Sequence, residues 1–141
     1  AGHVASETSF PLVARGDLFW PEESESADHN QYIWLNDTLV APLFDDNSIP
    51  DPDTRNVWIP PGTWRDAWNG SEITGPKTVT VTQPKERIPL YHRVGGLMVT
   101  LTRVDAMRVH QANWSTLALQ AHPDFTQDKP LSVSRMIYCR E

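Results

Sequence analysis

The sequence predicts an all-β protein built as an antiparallel β-sandwich, and three observations carry that prediction. Twelve prolines and seven glycines cut the 141 residues into short segments, leaving room for strands of roughly 5 residues rather than helices of roughly 11. Those segments are rich in Val, Thr, Trp and Tyr, the residues that fill a pleated surface well. One of them, Lys77 to Thr82, alternates without a break. Val79 and Val81 point one way while Thr78, Thr80 and Thr82 point the other, as a half-buried strand requires.

The totals bound the class. A chain that is 39% hydrophobic and 21% charged is ordinary for a globular protein and excludes a disordered one. Its length fits about one domain. The net charge of −6 argues against nucleic acid as a partner, because that binding rests on Lys and Arg neutralising phosphates. No apolar run approaches the roughly 18 residues of a membrane span, and no basic-then-apolar leader opens the chain, so no membrane partner is expected. Cys139 is the single cysteine. It excludes an intrachain disulfide framework and reads as a small hydrophobe in a strand.

In chain order, residues 1 to 8 carry no starting methionine and no cap, and read as the tail of a helix cut from something longer. Phe10 to Trp20 is a strand candidate, closed by Pro21 and the acidic turn after it. Asn36-Asp37-Thr38 turns the chain into the apolar Leu39 to Phe44. The acidic stretch 45–53 cannot continue that strand, because Pro50 and Pro52 remove ladder donors. Asn56 to Ile59 resumes a strand, Pro60-Pro61-Gly62 reads as a tight turn with Gly62 at positive φ, and Thr63 to Trp68 follows. Trp64, Asp66 and Trp68 share one parity of that last strand. Asn69-Gly70 is a type I′ turn signal. Lys77–Thr82, Ile88–His92, Gly96–Thr102, Met107–His110, Trp114–His122 and Ser132–Tyr138 complete the expected strands.

Few constellations carry chemistry. Asp45, Asp46, Asp51 and Asp53 offer oxygens that would suit calcium, but without EF-hand spacing or a glycine to sharpen the loop. They read as a solvated acidic loop. His3, His29, His92, His110 and His122 show no ligand spacing and no cysteine pairs with them, so neither a metal nor another cofactor is expected. Three N-x-S/T sequons, at Asn36, Asn69 and Asn113, assign no compartment.

Three phrases carry a family resemblance. Gln31-Tyr32 leads to Leu39-Val40-Ala41-Pro42; Val57-Trp58-Ile59 leads to Trp64, Asp66, Trp68 and Gly70; and Glu86-Arg87-Ile88-Pro89 leads to Arg93 and Gly95. In order and spacing they resemble the end of the catalytic barrel and the proximal C-terminal β-sandwich of glycoside hydrolase family 31. Glu7, Thr8 and Pro11 extend the likeness toward the barrel's last strand, and Ala14-Arg15-Gly16 departs from the family's usual Arg-Pro-Leu.

The resemblance implies a short remnant of a (β/α)8 barrel over residues 1–27, the proximal sandwich over 28–105, and an incomplete distal sandwich over 106–141. It implies a parent enzyme that acts on α-linked oligosaccharides or glycosides with retention, and makes the catalytic barrel of that parent the partner of this chain. Retention needs two carboxylates about 5–5.5 Å apart. The family's nucleophile phrase, W-x-D-M-N-E, is absent. Trp34-Leu35-Asn36-Asp37 shares only its first letters and falls on a turn, so no catalytic residue is expected, Asp37 included. The chain's own role is then structural. A freestanding carbohydrate-binding sandwich is the competing reading, with Trp58, Trp64 and Trp68 as candidate sugar contacts. Indoles stack on sugar rings when exposed and stabilise small β domains when buried, so exposure of these three separates the readings. With its barrel neighbours missing, the Phe10–Trp20 strand is expected to leave the isolated chain prone to association.

Overall fold

The computed structural model describes residues 9–43, 53–101 and 117–125. Eight strands are present among them: β1 (Val13–Ala14), β2 (Tyr32–Trp34), β3 (Thr38–Val40), β4 (Thr54–Asp66), β5 (Glu72–Thr82), β6 (Leu90–Arg93), β7 (Leu97–Leu101) and β8 (Leu117–Ala121). Six of them form one sheet in the order β1-β2-β3-β6-β4-β5, and β7 and β8 form a separate two-stranded sheet. Every described pairing is antiparallel. The chain is an all-β antiparallel sandwich, as its composition and alternation predict.

The long β4–β5 hairpin is one continuous element where two strands and a turn were expected. Pro60-Pro61-Gly62 lies inside β4, and both Pro61 and Gly62 face Gly75 across the ladder. This is a β-bulge, one of the places where a sheet tolerates proline. Gly62 does adopt positive φ, at 107°. Opposite it, a Cβ on Gly75 would drive into the carbonyl oxygens of Ile59 and Pro60, so the two backbones approach this closely only because residue 75 has no side chain. Beyond the bulge the strand gains a second partner: Trp64, Arg65 and Asp66 pair with Arg93, His92 and Tyr91 of β6.

The hairpin's far end is not the two-residue type I′ turn that Asn69-Gly70 signals. Asp66 closes a wider loop, its Oδ1 accepting from the Trp68 and Asn69 amides at 2.7 and 3.2 Å. Along β5 the expected alternation holds. Val79 and Val81 pack on the core, and the Thr80 and Thr82 hydroxyls bond to Asn56 and Thr54 on the outer face.

The segment from Phe10 to Trp20 departs most from expectation. Only Val13–Ala14 is strand, and it pairs antiparallel with Ile33 and Trp34; a 3-10 turn, Gly16–Leu18, follows at once. The turn delivers Phe19 and Trp20 onto the core rather than along a strand. Trp20 meets Trp58 and Trp64 edge-on at 5.9 and 6.4 Å between ring centroids, a geometry the ring quadrupoles favour. Ile33, Leu39, Val57, Ile59, Trp64 and Tyr91 form the buried centre. Sheet pairing therefore joins residues on either side of position 27 through β1 and β2, and on either side of position 105 through β7 and β8.

Two polar side chains tie the outer half of β4 to the rest. Gln31 brackets the Trp58 peptide, Nε2 donating to Trp58 O at 2.9 Å and Oε1 accepting from Trp58 N at 3.1 Å. Arg55, 5% exposed, donates to the carbonyls of Asn30, Pro42 and Asn56 and lies 3.5 Å from Asp28. The acidic residues 45, 46 and 51, the strands expected at Met107–His110 and Ser132–Tyr138, the sequon at Asn113 and Cys139 lie outside the described residues.

Candidate functional site

The three candidate tryptophans do not form an exposed row. Trp58 and Trp64 are 4% and 0% exposed, and the Trp64 indole N–H donates to Pro60 O at 3.0 Å. Neither presents a face to a sugar. Trp68 is 47% exposed, with its Nε1 committed to Ile88 O at 2.8 Å and the Arg87 guanidinium 5.2 Å from the ring centroid. One indole with a cation on it remains of the proposed platform.

The sheet's outer face carries two other features. The register places Val13 opposite Trp34, and Tyr32, Val40 and Leu90 in one cross-strand row. These five line a shallow apolar groove of about 340 Å³, with Val13 and Trp34 53% and 38% exposed. Further along the same face, His92 is paired across strands with Thr38 on one side and Arg65 on the other.

The imidazole of His122, which directly follows β8, stacks on that of His92 at 4.2 Å and 18°. His92 Nδ1 lies 3.2 Å from Thr38 Oγ1. Arg65 pairs with Glu72 at 2.6 Å, donates to Pro123 O at 3.0 Å and covers the Phe125 ring. Burial, with the neighbouring His122 second, pushes the His92 pKa down to about 4. Burial and then Arg65 lower that of His122, with Asp37 acting in the opposite sense.

Among the described residues no three or more His, Cys, Asp or Glu side chains gather as a metal-binding set. Asp37 sits on the β2–β3 turn, its backbone carbonyl accepting from Arg93 N at 2.8 Å. The histidine pair had no signal in the sequence, because thirty positions separate its members and no ligand spacing links them. The groove had a partial one. Its strands are legible, but the sequence alone puts Val13 on a barrel strand and carries no signal for its pairing with Trp34.

This antiparallel sandwich recurs in carbohydrate-active enzymes of known structure. A dextranase of Flavobacterium johnsoniae, solved with isomaltotriose, superposes with a TM-score of 0.68 at 22% identity over 86% of this chain and 14% of its own. The cycloalternan-forming enzyme of Listeria monocytogenes, solved with a pentasaccharide substrate, gives 0.67 at 21% over 84% and 11%. In sequence, an isomaltosyltransferase of Sporosarcina globispora is 23% identical over 96 residues, 67% of this chain and 8% of that protein. The model of the glycosyl hydrolase family 31 C-terminal domain matches residues 10–98. The chain belongs to that family. It spans only about a tenth of the length of these relatives.

Proposed function

We propose that this chain is the accessory sandwich of a family 31 enzyme that acts on α-linked glycosides, and that it braces the catalytic barrel rather than taking part in bond cleavage. The observation that carries this reading is the apolar groove of Val13, Tyr32, Trp34, Val40 and Leu90, a sheet face that the described residues leave partly open at Val13 and Trp34, in a domain whose family relatives are several times longer. Burying such a face against a neighbouring domain is favourable at roughly 25 cal/mol per Å². The family phrase for the nucleophile is absent from the sequence, so the chemistry falls to residues of the parent outside this chain. The relatives named above are a dextranase solved with isomaltotriose, a cycloalternan-forming enzyme solved with a pentasaccharide substrate and an isomaltosyltransferase, which supports an oligosaccharide or glycoside substrate for the parent here.

The test is reconstitution. A family 31 catalytic barrel produced without its own C-terminal domains is mixed with this chain and its thermal inactivation followed on an aryl α-glucoside. Protection by the chain, lost in Val13→Asp and Leu90→Asp, is the expected result, with no turnover by the chain alone. Equal inactivation with and without the chain overturns the bracing role. Isomaltotriose-dependent quenching of tryptophan fluorescence in the chain alone, abolished by Trp68→Ala, would instead support the carbohydrate-binding reading.

A further inference from the structure

We propose that His92 and His122 form an acid-released clasp holding the β7–β8 hairpin against the six-stranded sheet. His92 belongs to β6 of the large sheet and His122 to the exit of β8, and their rings stack at 4.2 Å, 18° from parallel. Both residues are buried, at 6% and 7% exposure. His122 Nε2 is sealed from solvent with no hydrogen-bond partner among the described residues. The His122 backbone closes the base of the hairpin, accepting from Gly95 N at 2.7 Å and donating to Gly96 O at 3.0 Å. Moving this imidazole therefore moves the hairpin's anchor.

The charged groups around the pair decide what a proton does there. On β4, Arg65 lies cross-strand from His92 and reaches past it to Pro123 and Phe125. Its charge is shared with Glu72 of β5 at 2.6 Å. Thr38 of β3 offers His92 a hydroxyl, which is neutral. Asp37, on the β2–β3 turn, is the anion that favours protonation of His122, and it is outweighed by burial and Arg65. Asp124 follows two residues after His122. A proton on either ring creates a buried cation stacked on an imidazole and close to a guanidinium, which is unfavourable in a desolvated site.

The sign follows from the lowered folded-state affinity for protons. The unfolded chain binds protons near pH 6.5, whereas docked His92 does so only nearer pH 4 and docked His122 is shifted in the same direction, so docking is fully stable above about 6.5 and weakens as pH falls from there toward 4. Undocking exposes both rings, which then protonate freely. The rest of the large sheet contains no comparable pair, so the loss is local to the hairpin.

Backbone hydrogen exchange on the full chain, corrected for the intrinsic pH dependence of exchange, tests the clasp. Between pH 7 and pH 5, protection of Leu97–Thr100 and Leu117–Ala121 is expected to fall by at least about tenfold, while Trp58 and Ile59 keep theirs. The double variant His92→Phe/His122→Phe keeps two aromatic rings at the contact with neither titratable group and is expected to hold hairpin protection across that range. Constant hairpin protection in the wild type overturns the clasp, as does an unchanged pH profile in the variant. If the variant does not fold, imidazole NMR titration of the wild type decides. Rings that stay neutral until hairpin protection is lost support the clasp, and rings that titrate while protection persists refute it.

Discussion

The carboxamide of Gln31 replaces a missing strand beside Trp58, donating to its carbonyl at 2.9 Å and accepting from its amide at 3.1 Å. β4 pairs with β6 only over Trp64–Asp66, so its outer half would otherwise leave buried peptide groups without partners on that edge. An amide side chain is suited to this role because it carries one donor and one acceptor in the same plane, as a peptide does.

Gln31→Ala is therefore expected to cost about 3 kcal/mol, since it strands a donor and an acceptor together in a site 3–4% exposed. Urea denaturation measures it. Gln31→Glu keeps the acceptor and turns the donor into a second acceptor facing Trp58 O. Its deficit relative to wild type at the same pH should shrink on acidification, when the carboxyl regains a proton to donate. A pH-independent deficit would show that the bracket is not the cause.

The bulge in β4 makes an ordering prediction. Gly75→Ala places a methyl group against two backbone carbonyls that cannot rotate away, and should cost on the order of 3 kcal/mol or prevent folding. Gly62→Ala meets only Arg93 Nε, at 3.9 Å, and bears mainly the conformational penalty of φ 107°, about 1–2 kcal/mol. Thermal melts that rank Gly62→Ala as the worse of the two would place the constraint elsewhere.

The elements that were legible in the sequence are those whose signal is local. Val79 and Val81 alternate with threonines because β5 is buried on one face, and period 2 survives in the sequence unaltered. The three family phrases also marked the β2–β3, β4 and β6 segments. What stayed hidden depends on distance or on exceptions to local rules. Pro60-Pro61 reads as a turn because proline usually ends pairing, yet a bulge accommodates it with the strand continuing to Asp66. The apolar load of Phe10–Trp20 reads as a strand, but a 3-10 turn lets the adjacent Phe19 and Trp20 both reach the core, which no alternating strand permits. Trp58 and Trp64 drew attention as sugar contacts because composition does not distinguish a buried indole from an exposed one. Gln31–Trp58 and His92–His122 join residues that only the sheet topology brings together.

Arg55 gives a prediction about side-chain shape rather than charge. It satisfies the carbonyls of Asn30, Pro42 and Asn56 at 3.0, 2.6 and 3.1 Å, and burial lowers its pKa, with Asp28 opposing. A lysine ammonium keeps the charge but cannot span three carbonyls from one fork. Arg55→Lys should cost about 2–3 kcal/mol in chemical denaturation. Asp28→Asn should cost under about 1 kcal/mol, because that carboxylate is 32% exposed and 3.5 Å away. Equal losses in the two variants would assign the stabilisation to the ion pair.

At alkaline pH the expected weak point is Tyr91. It is 1% exposed, and burial, with Asp66 adding to it, pushes its pKa up to about 12. The unfolded phenol ionises near pH 10, so between about 10 and 12 the unfolded chain has given up a proton that the folded chain still holds. Stability is then complete below about pH 10 and falls as pH rises toward 12, by roughly 2–3 kcal/mol from this group. Tyr91→Phe cannot ionise and should lose that limb of the pH–stability curve. Its stability at pH 7 should stay within about 1.5 kcal/mol of wild type, because the ring still fills the core beside Trp64. Denaturant melts of both proteins from pH 8 to 12 decide it: parallel curves would mean that the folded state already ionises Tyr91 as readily as the unfolded one.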